Sequence, residues 1–348
     1  MAGRESTNTV GLQVRHDRLD PVGLYSTVAR ERVATIQEST VRQTSMGISG
    51  ENATQWTPWL RSIVGLRGDW FHFDVNSSIA PNSGSKSASI ASPKLSLVFG
   101  PWSKTEYFAN YGWGYHSNDA RGTTANVAAK DPATAVEPVD ALVRSKGGEL
   151  GLRTEIVPGL QSSLALWALK LDSELLFVGD AGETVPSRAS KRYGIEWNNH
   201  YIATPWLLID AHLAVSRSRF TEPDSTEPTL GNHNPGSIQT VASLGATVAD
   251  LGPWFGQFQL RYFGPRPLEE NNEFRSKATT LAYLRVGYKI NPKLRVALDV
   301  FNLFDREASD IDYYYASRLK GEPAGGVNDI HFHPVEPRSV RVTLNASF

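Results

Sequence analysis

His116, Asn118, Asp119 and Arg121 place an imidazole, an amide, a carboxylate and a guanidinium within one short run, where Asn110-Tyr-Gly-Trp-Gly-Tyr115 gives way to a long polar stretch. Groups of both charge signs at the base of a loop suit non-covalent capture of a polar ligand, because binding groups concentrate on loops held by rigid elements. The plainer reading of the same residues is a hydrogen-bond network that orders the loop. His331-Phe-His333 sets two imidazoles on one side of an extended segment, with Asp329 on that same side. That spacing suits a transition metal, against the simpler reading of two incidental loop histidines. His200 and His212 read best as polar residues facing a wet interior. Glu149, Glu155, Asp172 and Glu174 offer carboxylates, but no spacing selects a pair for glycoside chemistry. The chain has no nucleophile elbow, phosphate-cradling glycine loop or H-E-x-x-H helix, so neither enzyme activity nor a cofactor is expected.

The elements that position these groups are strands. Val10, Leu12 and Val14 alternate with Gly11, Gln13 and Arg15, and Leu207, Ile209, Ala211, Leu213 and Val215 alternate with polar residues. Leu294, Val296, Leu298 and Val300 repeat the pattern. A strand sends successive side chains to opposite faces, so each segment has one apolar and one polar side. About sixteen such segments, each of roughly 9–11 residues, run through the chain. Short turns are expected at Gly68-Asp69, Gly100-Pro101, Pro158-Gly159 and Asn291-Pro292, and long polar loops near Ser117–Lys146, Thr221–Gly236 and Asp305–Glu336. Short turns at one end and long loops at the other match an outer-membrane barrel, and the strands bracketing each loop predict structured caps. Trp56, Trp59, Trp70, Trp102, Trp113, Trp206 and Trp254 fall near expected strand ends, where interfacial aromatic girdles lie.

Composition narrows the classes. The 348 residues carry a formal net charge of −1, so no basic field points to nucleic acid. Cysteine is absent, which excludes disulfides and thiolate chemistry. No run reaches the roughly 18 apolar residues of a spanning helix. Mean hydropathy is −0.31, which does not argue against a barrel, since only alternate residues meet lipid. Met1-Ala-Gly-Arg-Glu-Ser-Thr-Asn8 lacks the apolar segment of a signal peptide, so the chain is expected to be a mature form or a fragment.

Val300-Phe-Asn-Leu-Phe-Asp305, a long loop, Pro337-Arg338 and an alternating strand ending on Phe348 together resemble the carboxy-terminal signature of TonB-dependent outer-membrane receptors. Gly65-Leu-Arg-Gly-Asp69, Ser92-Pro-Lys-Leu-Ser-Leu97 and Asn110–Arg121 resemble earlier barrel segments of that family, in the same order. The resemblance implies an all-β antiparallel transmembrane barrel over 1–348, a partial one of about sixteen strands against the roughly 22 of a complete receptor. It implies an outer-membrane receptor for TonB-energised uptake of a scarce nutrient, foremost a ferric siderophore or other metal complex. The implied partners are outer-membrane lipid and lipopolysaccharide, the barrel-assembly machinery that reads Phe348, the nutrient itself, and TonB through a plug domain. A signal peptide, TonB box and plug are not recognisable in this sequence. Rival readings are a nonfunctional remnant or passive pore, and a secreted soluble β-rich enzyme or lectin.

Overall fold

The computed structural model describes residues 4–178, 183–223 and 228–347. Phe348 lies outside the described residues. The strands are β1 (Ser6–Val28), β2 (Glu31–Thr57), β3 (Leu60–Ser77), β4 (Gly84–Trp102), β5 (Thr105–Ser117), β6 (Leu142–Thr154), β7 (Leu160–Leu171), β8 (Leu175–Val178), β9 (Glu183–Pro186), β10 (Ser190–Thr204), β11 (Leu207–Phe220), β12 (Thr240–Leu251), β13 (Trp254–Phe263), β14 (Thr279–Asn291), β15 (Leu294–Phe301), β16 (Ser309–Ser317), β17 (Val327–Pro334) and β18 (Ser339–Ala346). A short α-helix, α1, spans Ala120–Thr123. Fourteen strands share one sheet in the order β1-β2-β3-β4-β5-β6-β7-β10-β11-β12-β13-β14-β15-β18, while β8-β9 and β16-β17 form separate hairpins. Neighbouring strands pair antiparallel, as β1 with β2, β10 with β11, β15 with β18 and β16 with β17 do.

Residues sort by face as the sequence pattern requires. In β1 to β3, Val10, Leu12, Val14, Met46, Ile48, Leu66 and Trp70 lie on one side and are exposed. Gln13, Gly47 and Asp69, in register on the three strands, lie on the other. The same sorting holds in the last strands, where Val286, Leu298 and Val342 stand in register on the apolar face. An apolar face left open to the surroundings is stable only against a non-aqueous medium or a partner.

Among the described residues, those within 1–98, 110–148 and 171–173 make one compact unit, and those within 99–109, 149–170 and 174–348 make another. The first unit contains a true core on its polar face, away from the exposed apolar side. Val41, Phe71, Phe73 and Val75 of β2 and β3 pack with Ala120 and Ala141, which enter from the loop between β5 and β6. Phe71 stacks at 5.9 Å from Phe73 and meets Tyr115 edge-on. That loop is therefore a docked cap.

Several expectations shift. The described strands number eighteen rather than about sixteen, because two long connections carry hairpins of their own. Strands are not uniformly short: β1 and β2 run to 23 and 27 residues. Gly68-Asp69 is not a turn but the middle of β3, held there because Asp69 turns to the polar face and accepts hydrogen bonds from Arg67, with Nε to Oδ2 at 2.8 Å and Nη2 to Oδ1 at 2.6 Å. For the same reason Trp70 is mid-strand and belongs to no terminal girdle. The turn expected at Gly100-Pro101 falls at Ser103-Lys104, whose φ of 48° and 58° match the two left-handed residues that a two-residue hairpin turn demands. Pro158-Gly159 is a turn as expected, with Gly159 at φ 79° after the proline. Further short connections at Pro58-Trp59, Pro205-Trp206, Gly252-Pro253 and Pro292-Lys293 lie at the opposite strand ends from residues 118–141, 221–239, 264–278 and 302–338, whereas the two-residue Ala29-Arg30 turn, with φ of 51° and 72°, lies at the long-loop end.

Candidate ligand-binding site at the loop end

The loop between β5 and β6 is built from its base upward. Asn118 ties its two ends together: the backbone N–H donates to Ala141 O at 3.0 Å and Nδ2 donates to Asp140 O at 2.7 Å. Asp119 caps α1 by accepting from Arg121 N at 2.9 Å, and it holds the Arg121 guanidinium through Nε at 3.0 Å and Nη2 at 2.6 Å. Asn118 and Asp119 thus build the loop base, and Arg121 is engaged by Asp119 through two of its nitrogens. His116, at the end of β5, has a buried Nε2 without a hydrogen-bond partner, as has Asn118 Oδ1. Sequence reasoning missed Asn82. It lies buried in the β3–β4 connection, donates from Nδ2 to Val127 O at 2.9 Å, and accepts on Oδ1 from the N–H groups of Asn126 and Val127. One asparagine in a Ser/Pro-rich connection carries no signal of such a role.

Burial would raise the Asp119 carboxyl, but hydrogen bonds from the Arg121 side chain and backbone, with its charge, outweigh it and hold the group below its ordinary value. A carboxylate lowered in the folded state stabilises that state above its unfolded pKa, and the contribution is lost as pH falls through the lowered folded value. Asp119→Ala removes the cap and is expected to cost about 1 kcal/mol of local loop stability. Amide exchange at residues 120–124 measures it: the variant should exchange about fivefold faster at neutral pH, and the difference from wild type should vanish in strong acid.

The second unit fastens its connections with ion pairs. Arg266 Nη2 meets Asp312 Oδ2 at 2.8 Å, both nearly buried. Arg188 pairs with Glu270 while lying 4.2 Å over the Phe220 ring. Glu174 accepts from Ser190 and from Arg192 Nη2 at 2.7 Å. His331 and His333 share one face of β17, as expected, but each is occupied separately. His331 stacks on Tyr315 with its Nε2 3.2 Å from Tyr315 O, and His333 Nδ1 lies 3.0 Å from Asp310 Oδ1. Among the described residues no three His, Cys, Asp or Glu side chains gather as a metal site.

Below the loops, the polar face is lined with paired polar and charged groups. His200 Nδ1 meets Asp210 Oδ1 at 2.7 Å, and His212 Nδ1 lies 3.0 Å from Asn198 Oδ1. Asp299, fully buried, accepts from Arg285 Nε at 2.6 Å and from Tyr283. Arg295, on the same face as Asp299, is not its partner. Four residues along one strand amount to about 13 Å, whereas Arg285 sits directly opposite in register. These groups can recognise a polar ligand without covalent chemistry.

The sequence matches the profile of the family described as "TonB dependent receptor-like, beta-barrel" over residues 1–303. No curated protein sequence matches it. Among solved structures, the ferric yersiniabactin uptake receptor FyuA from Yersinia pestis superposes with a TM-score of 0.70 at 16% identity, covering 100% of this chain and 52% of that one. The copper transporter OprC gives 0.73 at 16% identity, covering 99% and 54%. The ferric-catecholate import receptor Fiu from K12 E. coli gives 0.68 at 15% identity, covering 99% and 51%. At such identities the likeness concerns the fold, and the chain spans about half the length of these proteins.

Proposed function

The chain belongs to the TonB-dependent receptor β-barrel family, one of receptors and transporters rather than enzymes, and from that premise we propose that it supplies barrel wall and loop-end surface to an outer-membrane receptor for a scarce nutrient. The ligand is a ferric siderophore or another metal complex, admitted under TonB energy relayed through a plug domain that this wall surrounds. The carrying observation is the sorting of the chain: apolar residues on one face, matched charges on the other, and built connections such as residues 118–141 gathered at one end of the strands. The cargoes of the similar structures, ferric chelates and copper, favour a metal complex over a glycan. In this reading Asn118 and Asp119 hold the cap, while His116 and Arg121 face the ligand. His331 and His333 lie in an outer hairpin, residues 1–348 form one barrel segment, and Phe348 addresses the assembly machinery.

Tryptophan fluorescence of the full chain folded in detergent, titrated with ferric catecholate, ferric hydroxamate, ferric citrate and copper(II), tests the site. One class should quench the signal saturably, and His116→Ala with Arg121→Ala should weaken that class about tenfold, roughly the 1.4 kcal/mol of one lost charged contact. No saturable quenching by any of the four, or identical curves for the variant, would sink this assignment.

A further inference from the structure

The apolar face carries cations where its strands approach the long loops. In β10 and β11 the register pairs Trp197 with Leu213, Ile195 with Val215, Tyr193 with Arg217 and Lys191 with Arg219. The first four are exposed apolar residues, so Lys191, Arg217 and Arg219 occupy the same face, one step nearer the loops. Lys191 and Arg219 stand directly opposite each other, an arrangement in which like charges repel. No carboxylate lies within ion-pair distance of any of the three among the described residues. On the polar face the usual arrangement is the reverse, with Arg285, Arg192 and Arg67 each locked to an acid.

The first unit repeats the pattern independently. Arg144 and Lys146, at the loop end of β6, lie 4.8 and 4.7 Å over the ring of Trp113, whose Nε1 donates to Tyr111 Oη at 3.0 Å. Among the described residues neither cation has a carboxylate within ion-pair distance, although Asp140 and Asp172 line a cleft beside Arg144. On the exposed apolar side an open groove of about 680 Å³ runs from Leu12, Ile48 and Trp70 to Arg144.

Cations beside an apolar face, without carboxylate partners and flanked by Tyr193 in one unit and Trp113 in the other, complement one kind of molecule: an amphiphile with acyl chains below and phosphate above. We propose that Lys191, Arg217 and Arg219, flanked by Tyr193, form a binding station for the phosphates of a multiply acylated outer-leaflet lipid, whose chains lie on Ile195, Val215 and Leu213. Arg144 and Lys146 form a second station whose acyl slot is the groove. The inference rests on the outer-membrane placement proposed above. Phosphate oxygens supply the counter-charge that the protein withholds, and near the headgroups a basic side chain on the lipid face carries little penalty.

Native mass spectrometry of the full chain in detergent tests it with three probes: diphosphorylated lipid A, its dephosphorylated form and phosphatidylcholine. Wild type should retain the diphosphorylated lipid at least tenfold better than either neutral probe. The triple change Lys191→Gln, Arg217→Gln, Arg219→Gln should lose about tenfold. The charge-keeping triple Lys191→Arg, Arg217→Lys, Arg219→Lys should restore retention, which guards against misfolding as the cause. Lys104→Gln with Lys293→Gln, at the short-turn end, should bind as wild type. Equal retention of all three lipids, or an unchanged glutamine triple, overturns the station. Failure of wild type to enter detergent micelles or vesicles before any lipid is added overturns the membrane placement itself, a separate result.

Discussion

Phe73→Ala is expected to release the loop of residues 118–141 from the sheet and to raise tryptic cleavage after Lys130 by two to three orders of magnitude. Phe73 is fully buried, and it packs between Phe71 and Val75 on the polar face of β3, where Ala120 and Ala141 of the cap complete the cluster. Truncating a buried phenylalanine costs about 3–5 kcal/mol through lost burial and the cavity left behind. The cavity would lie where the cap meets the sheet, so the loss falls on docking of the loop more than on the strand ladder beneath. Cleavage of a transiently opened loop follows the population of its open form, and every 1.4 kcal/mol changes that population tenfold. The register of β2 with β3 should survive, because it is set by backbone pairing along the whole length of both strands. Near-wild-type protease resistance would mean that Asn118 and Asn82, through their backbone hydrogen bonds, hold the cap without help from the core. Loss of sheet circular dichroism would mean that the cluster supports the strands themselves.

The alternation that made the strands legible is a local property, and so it was read correctly at Val10, Leu12 and Val14, at Leu207–Val215 and at Leu294–Val300. Turn placement was less legible. Gly68-Asp69 has the composition of a hairpin, yet Asp69 finds a guanidinium two residues away on the same face, and the strand continues. A better signal lay in the proline–tryptophan pairs. Pro58-Trp59, Pro101-Trp102, Pro205-Trp206 and Pro253-Trp254 all sit at the short-turn end, where proline needs no ladder donor and an indole suits an interface. The aromatic contacts there agree, with Trp102 6.1 Å from Tyr107 and Trp254 4.8 Å from Tyr288. Site residues were the least legible. Asn118 and Asp119 were visible as polar groups at a loop base, but the sequence does not say that their partners are Asp140, Ala141 and Arg121. Nor does it say that Glu174 reaches Arg192 or that Arg266 reaches Asp312, because such pairings depend on how long connections fold back. The β16–β17 hairpin was hidden for the same reason inside a segment that reads as polar loop.

Val286→Arg should cost about 2–4 kcal/mol of stability in a lipid bilayer, whereas Ile290→Arg on the same strand should cost about 0–1 kcal/mol. Both side chains point from the apolar face of β14 and both are exposed, so burial within the protein does not separate them. Depth does. Val286 stands in register with Gly256, Leu298 and Val342, in the middle of the strands, while Ile290 lies two residues from the Pro292-Lys293 turn. The four residues between them span about 13 Å of strand, and a tilt near 45° leaves roughly 9 Å of difference in depth. A guanidinium at Ile290 reaches the headgroups, but one at Val286 must thin the bilayer or give up its water. Urea unfolding of the full chain in phospholipid vesicles measures both variants against wild type, the shift in midpoint at constant slope giving the loss. If the apolar face met water or a soluble partner, the two positions would respond alike, and exposed substitutions would stay within about 0.5 kcal/mol. A depth-dependent penalty therefore separates a membrane wall from a soluble β-sheet, and it does so without knowing the ligand.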